Sequence, residues 1–411
     1  MQIRQGVAAT ASLVAAVLVS SVALAACSGG GGEITVWTYP VVEDEARHQK
    51  FWDKVVADFE KENPEITVDV SIHPWKNRDE ALATARAGGK GPDVIYLIPD
   101  QLPKFTEDLV DAESYLPATT LADYRENAVE SVSPAGTMLG APLLMTIQTP
   151  VCNKKLFDQA GVSEYPTSWE DFADLGPVFA REDVFLTDFA ATPTSTLNLS
   201  YYPWLWQAGG TVFSRDGKSV TFGTAEGQEA LGFVAGLAED GFVDPESLTR
   251  ELPPEQTAAY NNKVACTMSA EPGQFEKPWG TENVKILPPL KNEVDVTYGT
   301  VGSLGIFSDS DKIEQSGKFI SYVTQPDLMR EYVRIPGYFS PRQSQASLYT
   351  DDPVLGEQEK YLDLANVGPL EPQAREVNAS LAPEIQSAML GKKTPEQALA
   401  DGEKEAESLI R

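Results

Sequence analysis

Four large rings, Tyr201, Tyr202, Trp204 and Trp206, fall within six residues of the stretch SYYPWLWQAGG (Ser200–Gly210). Flat faces of this kind cover the C–H surface of a neutral polar ligand, while amides, hydroxyls and carboxylates nearby fix its orientation. On a helix, Tyr202 and Trp206 stand four apart on one side, and Tyr201, Trp204, Leu205 and Ala208 gather towards the other. One set is then expected in a core and the other facing outwards, with Pro203 in the first turn. That is the chemistry of binding. The spacings that bond-breaking requires are missing. VGSLG (Val301–Gly305) approximates a nucleophile elbow, but its first glycine is displaced by one residue. No HExxH, no GxxxxGKS/T and no GxGxxG after a strand occurs. Two histidines, His48 and His73, offer little for a metal site or a proton relay. No catalytic residue, metal or cofactor is expected.

The elements that would position such a ligand follow from periodicity. ITVWTY (Ile34–Tyr39) reads as a buried strand. The next segment places Phe51, Trp52, Val55, Val56 and Phe59 on one helical face and stops at Asn63-Pro64. ITVDVSI (Ile66–Ile72) alternates as a strand does, NRDEALATARAGG reads as a helix ended by two glycines, and DVIYLI (Asp93–Ile98) as a third strand. This β-α-β-α-β order builds a parallel sheet through right-handed crossovers. Ligands in such sheets sit outside the carboxyl ends of the strands, where Trp37, Tyr39, Tyr96 and Asp100 fall. Leu139–Phe157 and Val296–Ser308 are extended runs without helical period, and PTSWEDFADLGPVFA reads as one helix. Two α/β lobes joined by long extended runs imply a hinge with a cleft between them.

At 411 residues the chain suits two domains. Its net charge of −29 argues against nucleic acid or an anionic membrane surface as partner and favours a soluble monomer. After Arg4, an apolar run from Val7 to Ala26 ends in LAAC (Leu24–Cys27) and is followed by SGGGG. Small residues before a cysteine fit an export signal over residues 1–26, cut before a lipidated Cys27, with residues 27–32 as a flexible leash. Export favours pairing of the two remaining cysteines, Cys152 and Cys266, over two free thiols.

LAAC, the opening ITVWTYPVVEDEARHQKFWDKVVADFEKENPEITV, GKGPDVIYL, GAPLLMTIQTPVCNKKLFDQAGV before PTSWEDF, WLWQAGGTVF, KVACTMSAEPG and GKKTPEQALADGEKEAESLI occur in one order. Together they resemble the extracellular solute-binding proteins of carbohydrate ABC importers, the maltose-binding-protein-like class. The resemblance implies a two-lobed periplasmic-binding-protein fold of class α/β with three hinge crossings, near Met145–Thr149, Tyr298–Ser303 and Tyr338–Gln343. It implies an N-terminal lobe of residues 33–146 and 301–340 and a C-terminal lobe of 147–300 and 341–411. The function implied is capture of a sugar or oligosaccharide between the lobes and delivery to the transmembrane subunits of a permease. The protein would stand outside the cell membrane, held only by its lipid, and would perform no chemistry. An anchored glycoside-active enzyme, or a binder of another neutral solute, is the alternative. Carried over by position, the ligand-binding residues are Trp37, Tyr39, Tyr96, Asp100, Gln148, Tyr201, Tyr202, Trp204, Trp206, Glu271, Gln274, Phe275, Tyr338 and Arg375. Cys152 replaces a family aromatic and Cys266 a family methionine, on strands that lie close together in the family, which implies a disulfide between them.

Overall fold

The computed structural model describes residues 32–42 and 44–410, so the apolar run and Cys27 lie outside the described residues. The expected β-α-β-α-β opening is present: β1 (Glu33–Thr38), α1 (Glu45–Glu62), β2 (Thr67–Ile72), α2 (Arg78–Ala87) and β3 (Val94–Leu97). β1 pairs in parallel with β2 and β3. β4 (Ala141–Met145) and β9 (Val301–Ile306) add antiparallel neighbours, giving the order β2-β1-β3-β9-β4. The face of α1 buries His48, Phe51, Trp52, Val55 and Phe59 against this sheet's core. His48 is structural: burial pushes its imidazole down to about 4, and its neutral Nε2 accepts from Trp52 Nε1 at 3.0 Å.

A second hydrophobic core gathers residues between Cys152 and Leu290 with Ala374–Ala406. Its sheet is β6 (Cys266–Thr267), β5 (Val151–Asn153) and β7 (Val284–Ile286), all antiparallel. Cys152 and Cys266 are directly opposed in the ladder and joined by a disulfide spanning 114 residues of sequence. The two cores make the molecule two-lobed. The expected single helix over PTSWEDFADLGPVFA is two, Trp169–Asp174 and Gly176–Ala180. Pro177 has no N–H to carry the first helix onwards, so a new one starts there.

The extended runs cross between the lobes side by side. Gln148 N–H donates to the Tyr298 carbonyl at 2.8 Å, Thr146 N–H to that of Thr300 at 2.9 Å, and Thr297 Oγ1 to the Gln148 carbonyl at 2.8 Å. At Phe339–Arg342 the chain is still bridged to the first lobe, by Phe339 to Met145 and Arg342 to Tyr124. Leu348, Tyr349 and Leu362 still pack in the first core. Between them Val354 already packs with Val151, Phe275 and Ile286 beside the second sheet, and at β10 (Ala365–Asn366) the chain pairs with β8 (Thr297–Tyr298) before the helix Ala374–Met389 of the second lobe.

Candidate functional site

The carboxyl ends of the three parallel strands carry an aromatic wall. Trp37 lies 3.9 Å from His73, ring centre to ring centre. Tyr39 stacks on Trp75 at 4.8 Å and 28°, and Tyr96 meets both edge-on, at 6.4 and 6.2 Å. The Trp75 indole donates to the Pro40 carbonyl at 2.7 Å, which holds the ring upright after β2. The Arg78 guanidinium covers this ring at 5.0 Å. Burial pushes the Tyr39 phenol up to about 12, and its hydroxyl is buried without a hydrogen-bond partner.

Tyr96 fits because β9 carries a glycine where it passes. A Cβ on Gly302 would stand 1.8 Å from the Tyr96 hydroxyl oxygen. Gly302→Ala is therefore expected to cost about 1–3 kcal/mol by overpacking and to displace the Tyr96 ring. A denaturant melt, with near-ultraviolet circular dichroism following the ring, checks this; an unchanged midpoint and spectrum would refute it.

The opposite wall comes from the second lobe and the crossings. Arg375, in the first turn of helix Ala374–Met389, donates through Nε to Asp100 Oδ2 at 2.8 Å and also bonds Asp79. Gln101 Nε2 donates to the other Asp79 oxygen at 2.7 Å, and Arg78 lies 3.9 Å from Asp100. Burial alone would raise the Asp79 carboxyl, but Arg375, Gln101 and Arg78 outweigh it and hold it low. The set of Arg78, Arg375, Asp79 and Asp100 is charge-balanced. Beside it, burial pushes the Tyr298 phenol up to about 12, with the Asp100 charge adding to the effect. Burial does the same to Tyr338, with the charge of Glu271 from the other lobe adding, while Glu271 is itself raised by burial. Asp100 Oδ1 and Gln148 Oε1 are buried at this seam with no hydrogen-bond partner.

The four rings of the opening stretch need correcting. The helix spans Tyr202–Gln207 with Pro203 in its first turn, as expected, but Tyr201, Tyr202, Trp204 and Trp206 are all buried in the second core. Helix Ala225–Glu239 and β8 both pack against this short helix. Tyr201 donates its hydroxyl to the Gly227 carbonyl at 3.0 Å, so it is core. Trp204 packs against Trp169 and Phe233, at 5.4 and 5.5 Å. Tyr202, 6.1 Å from Trp206, keeps a buried hydroxyl without a partner, and Trp206 lines a cavity of about 530 Å³ with Phe213, Asn366 and Glu371. Phe275 is likewise core, stacked on Trp279 at 4.1 Å, and Gln274 beside it is exposed. The sequence reading missed Trp75, Arg78, Asp79 and Tyr298. The first three lie in or just after the loop HPWKN, which has no periodicity to flag a ring that points inwards.

Ser303 of VGSLG is no nucleophile elbow: it is fully buried in β9, its Oγ donating to the Leu97 carbonyl at 3.2 Å. Among the described residues no group of three His, Cys, Asp or Glu is placed to hold a metal ion, and no helix is long and apolar enough to cross a membrane.

The family model of the bacterial extracellular solute-binding proteins matches residues 43–329. A relative from Brucella abortus (strain 2308), whose name goes no further than a binding protein, is 22% identical over 400 residues, 95% of this chain and 96% of its own. One from Sinorhizobium fredii, named as a periplasmic-binding protein of amino-acid ABC transport, is 23% identical over 317 residues, covering 72% of this chain and 70% of its own. The crystal structure of a cyclic alpha-maltosyl-1,6-maltose binding protein from Arthrobacter globiformis superposes with a TM-score of 0.81 at 20% identity, covering 93% of this chain and 99% of that one.

Proposed function

Because the chain belongs to the bacterial extracellular solute-binding proteins, we propose that it is the substrate-binding component of an ABC transporter for a sugar or oligosaccharide. It takes the ligand between its lobes, closes on it and hands it unchanged to the transmembrane subunits of a permease. We place it outside the cell as a monomer tethered through lipidated Cys27, a residue outside those described. The lobes divide near residues 147 and 300, and the third crossing is assigned to Ala365–Asn366, where β10 joins β8.

One observation carries the reading. The wall of Tyr39, Trp75 and Tyr96 adjoins, through Arg78, the Asp100 carboxylate that Arg375 bonds from the other lobe and whose charge acts on Tyr298, with unpaired buried groups on Tyr39, Asp100 and Gln148. Rings to cover C–H faces and scattered neutral acceptors and donors suit a sugar. Trp37, Tyr338 and Glu271 extend these walls, and Tyr202 and Trp206 are assigned to the second lobe's approach to the seam.

The charge balance decides between solutes. An amino acid, suggested by the name of the Sinorhizobium relative, needs a free cation for its carboxylate. Arg375 is bonded to Asp79 and Asp100, and Arg78 lies 3.7 and 3.9 Å from the same two carboxylates, so the positive charge of the set is balanced by its own aspartates. A neutral ligand asks for no such partner. Glycoside cleavage would need two free carboxyl groups flanking the bond; the two seam aspartates are tied to arginine, which leaves Glu271 without a second free carboxyl beside it.

A thermal-shift screen over mono- and oligosaccharides, with amino acids as controls, tests the proposal. At one hundred times its dissociation constant a true ligand stabilises by about 2.7 kcal/mol, so a clear rise in melting temperature is expected for one sugar series. Stabilisation by amino acids alone, or hydrolysis of a glycoside by the purified protein, would overturn it.

A further inference from the structure

We propose that Arg375 is the clamp that sets how far the lobes are closed before any ligand arrives. This rests on the reading that solute is held between the lobes, but it concerns the ligand-free protein. The bonds of Arg375 to Asp100 and Asp79 join residues 275 and 296 positions apart in sequence and belonging to opposite lobes. Lys104 of the first lobe and Glu376 of the second reinforce them at 4.0 Å. Each partner is fixed to a rigid element. Asp79 is in the first turn of α2, Asp100 follows β3, and Arg375 is in the first turn of its helix. Gln101 steadies Asp79, and Arg78, lying over Trp75, steadies Asp100. With both sides anchored, parting the lobes is the motion that breaks the set.

A planar guanidinium held by two carboxylates makes stronger, more directional bonds than a lone surface ion pair. The side chains of Arg375, Asp79 and Asp100 remain 28%, 33% and 31% exposed, so dissolved ions reach the cluster. Screening shortens from about 10 Å at 0.1 M salt to about 3 Å at 1 M. The ligand-free protein therefore opens as salt rises. A ligand that binds only the closed form has its apparent affinity reduced by the closed fraction, so binding even of an uncharged sugar becomes salt-dependent. Arg375 is thus a positioning residue. A direct ligand contact, the role its sequence position suggested, would leave the ligand-free shape unchanged when it is removed.

Small-angle X-ray scattering of the ligand-free full chain tests this at about 0.02 M and 1 M NaCl. Wild type, Arg375→Gln, Asp79→Asn and the double variant are compared, each with a thermal melt to establish folding. Asp79→Asn, on the opposite lobe, keeps the test intact if Arg375→Gln does not fold. The radius of gyration of wild type is expected to rise with salt. Either single variant should be expanded already at low salt, its open-to-closed ratio raised about fivefold or more. The double variant should be no more open than Arg375→Gln, which already loses both aspartates, while Asp79→Asn alone should open the protein less because Arg375 keeps Asp100. A wild-type radius indifferent to salt and to both substitutions would overturn the clamp, as would additive effects. Failure of the sugar screen would touch the ligand and leave these outcomes readable.

Discussion

Replacing Cys152 and Cys266 together with serine lowers the stability of the protein by about 3–5 kcal/mol. The bridge closes 114 residues, and in the chain-entropy description a loop of about 100 residues contributes roughly 4.7 kcal/mol by restricting the unfolded chain. Both cysteines are fully buried, Cys152 on the middle strand β5 and Cys266 on the neighbouring strand β6. Two serine hydroxyls there would also need partners in an apolar setting. Denaturant unfolding of the oxidised wild type against the double variant measures the difference. A loss below about 1 kcal/mol would mean that the bridge adds little to what the ladder already holds. The second lobe should unfold first in the variant, since its core contains both residues.

Trp75→Ala is expected to weaken sugar binding about tenfold. The ring stacks on Tyr39, meets Tyr96 edge-on and carries Arg78 on its face, so truncation removes the middle of the wall. Aromatic pairs contribute about 0.5–1.5 kcal/mol beyond their buried area, and every 1.4 kcal/mol is a factor of ten in affinity. Trp75 is only partly buried against the first core, so the fold should survive. Trp204→Ala is the contrasting variant. It excavates the second core beside Trp169 and Phe233 and should cost about 3–5 kcal/mol of stability. Titration calorimetry and melting of both separate the roles, and a Trp75→Ala protein with wild-type affinity would remove the first-lobe wall from the account.

Legibility in the sequence followed the reach of local pattern. The opening β-α-β-α-β was readable because α1 repeats apolar residues every three or four positions and β1 to β3 are short apolar runs between clear stops. The pairing of Cys152 with Cys266 was expected from export and resemblance. The aromatic stretch misled for a physical reason. Four rings in six residues looked too many for one core, yet Trp169, Phe233 and the Gly227 carbonyl, all distant in sequence, supply the packing that absorbs them. Trp75 was invisible because a loop residue has no period. Arg375 and Asp100 were singled out without any sign that they bond each other, since nothing local records a contact 275 residues away. The packing of Leu348, Tyr349 and Leu362 on the first lobe was hidden likewise, because short helices and turns there read alike on either lobe.

A crystal structure with the best sugar from the screen bound tests the central claim most directly. The account predicts the sugar between the lobes, one face on Tyr39 and Trp75 and its hydroxyls reaching Asp100 Oδ1 and Gln148 Oε1. A sugar seated wholly on one lobe, for instance in the cavity of about 1050 Å³ that Phe59, Tyr115 and Tyr322 line on the first, would contradict it.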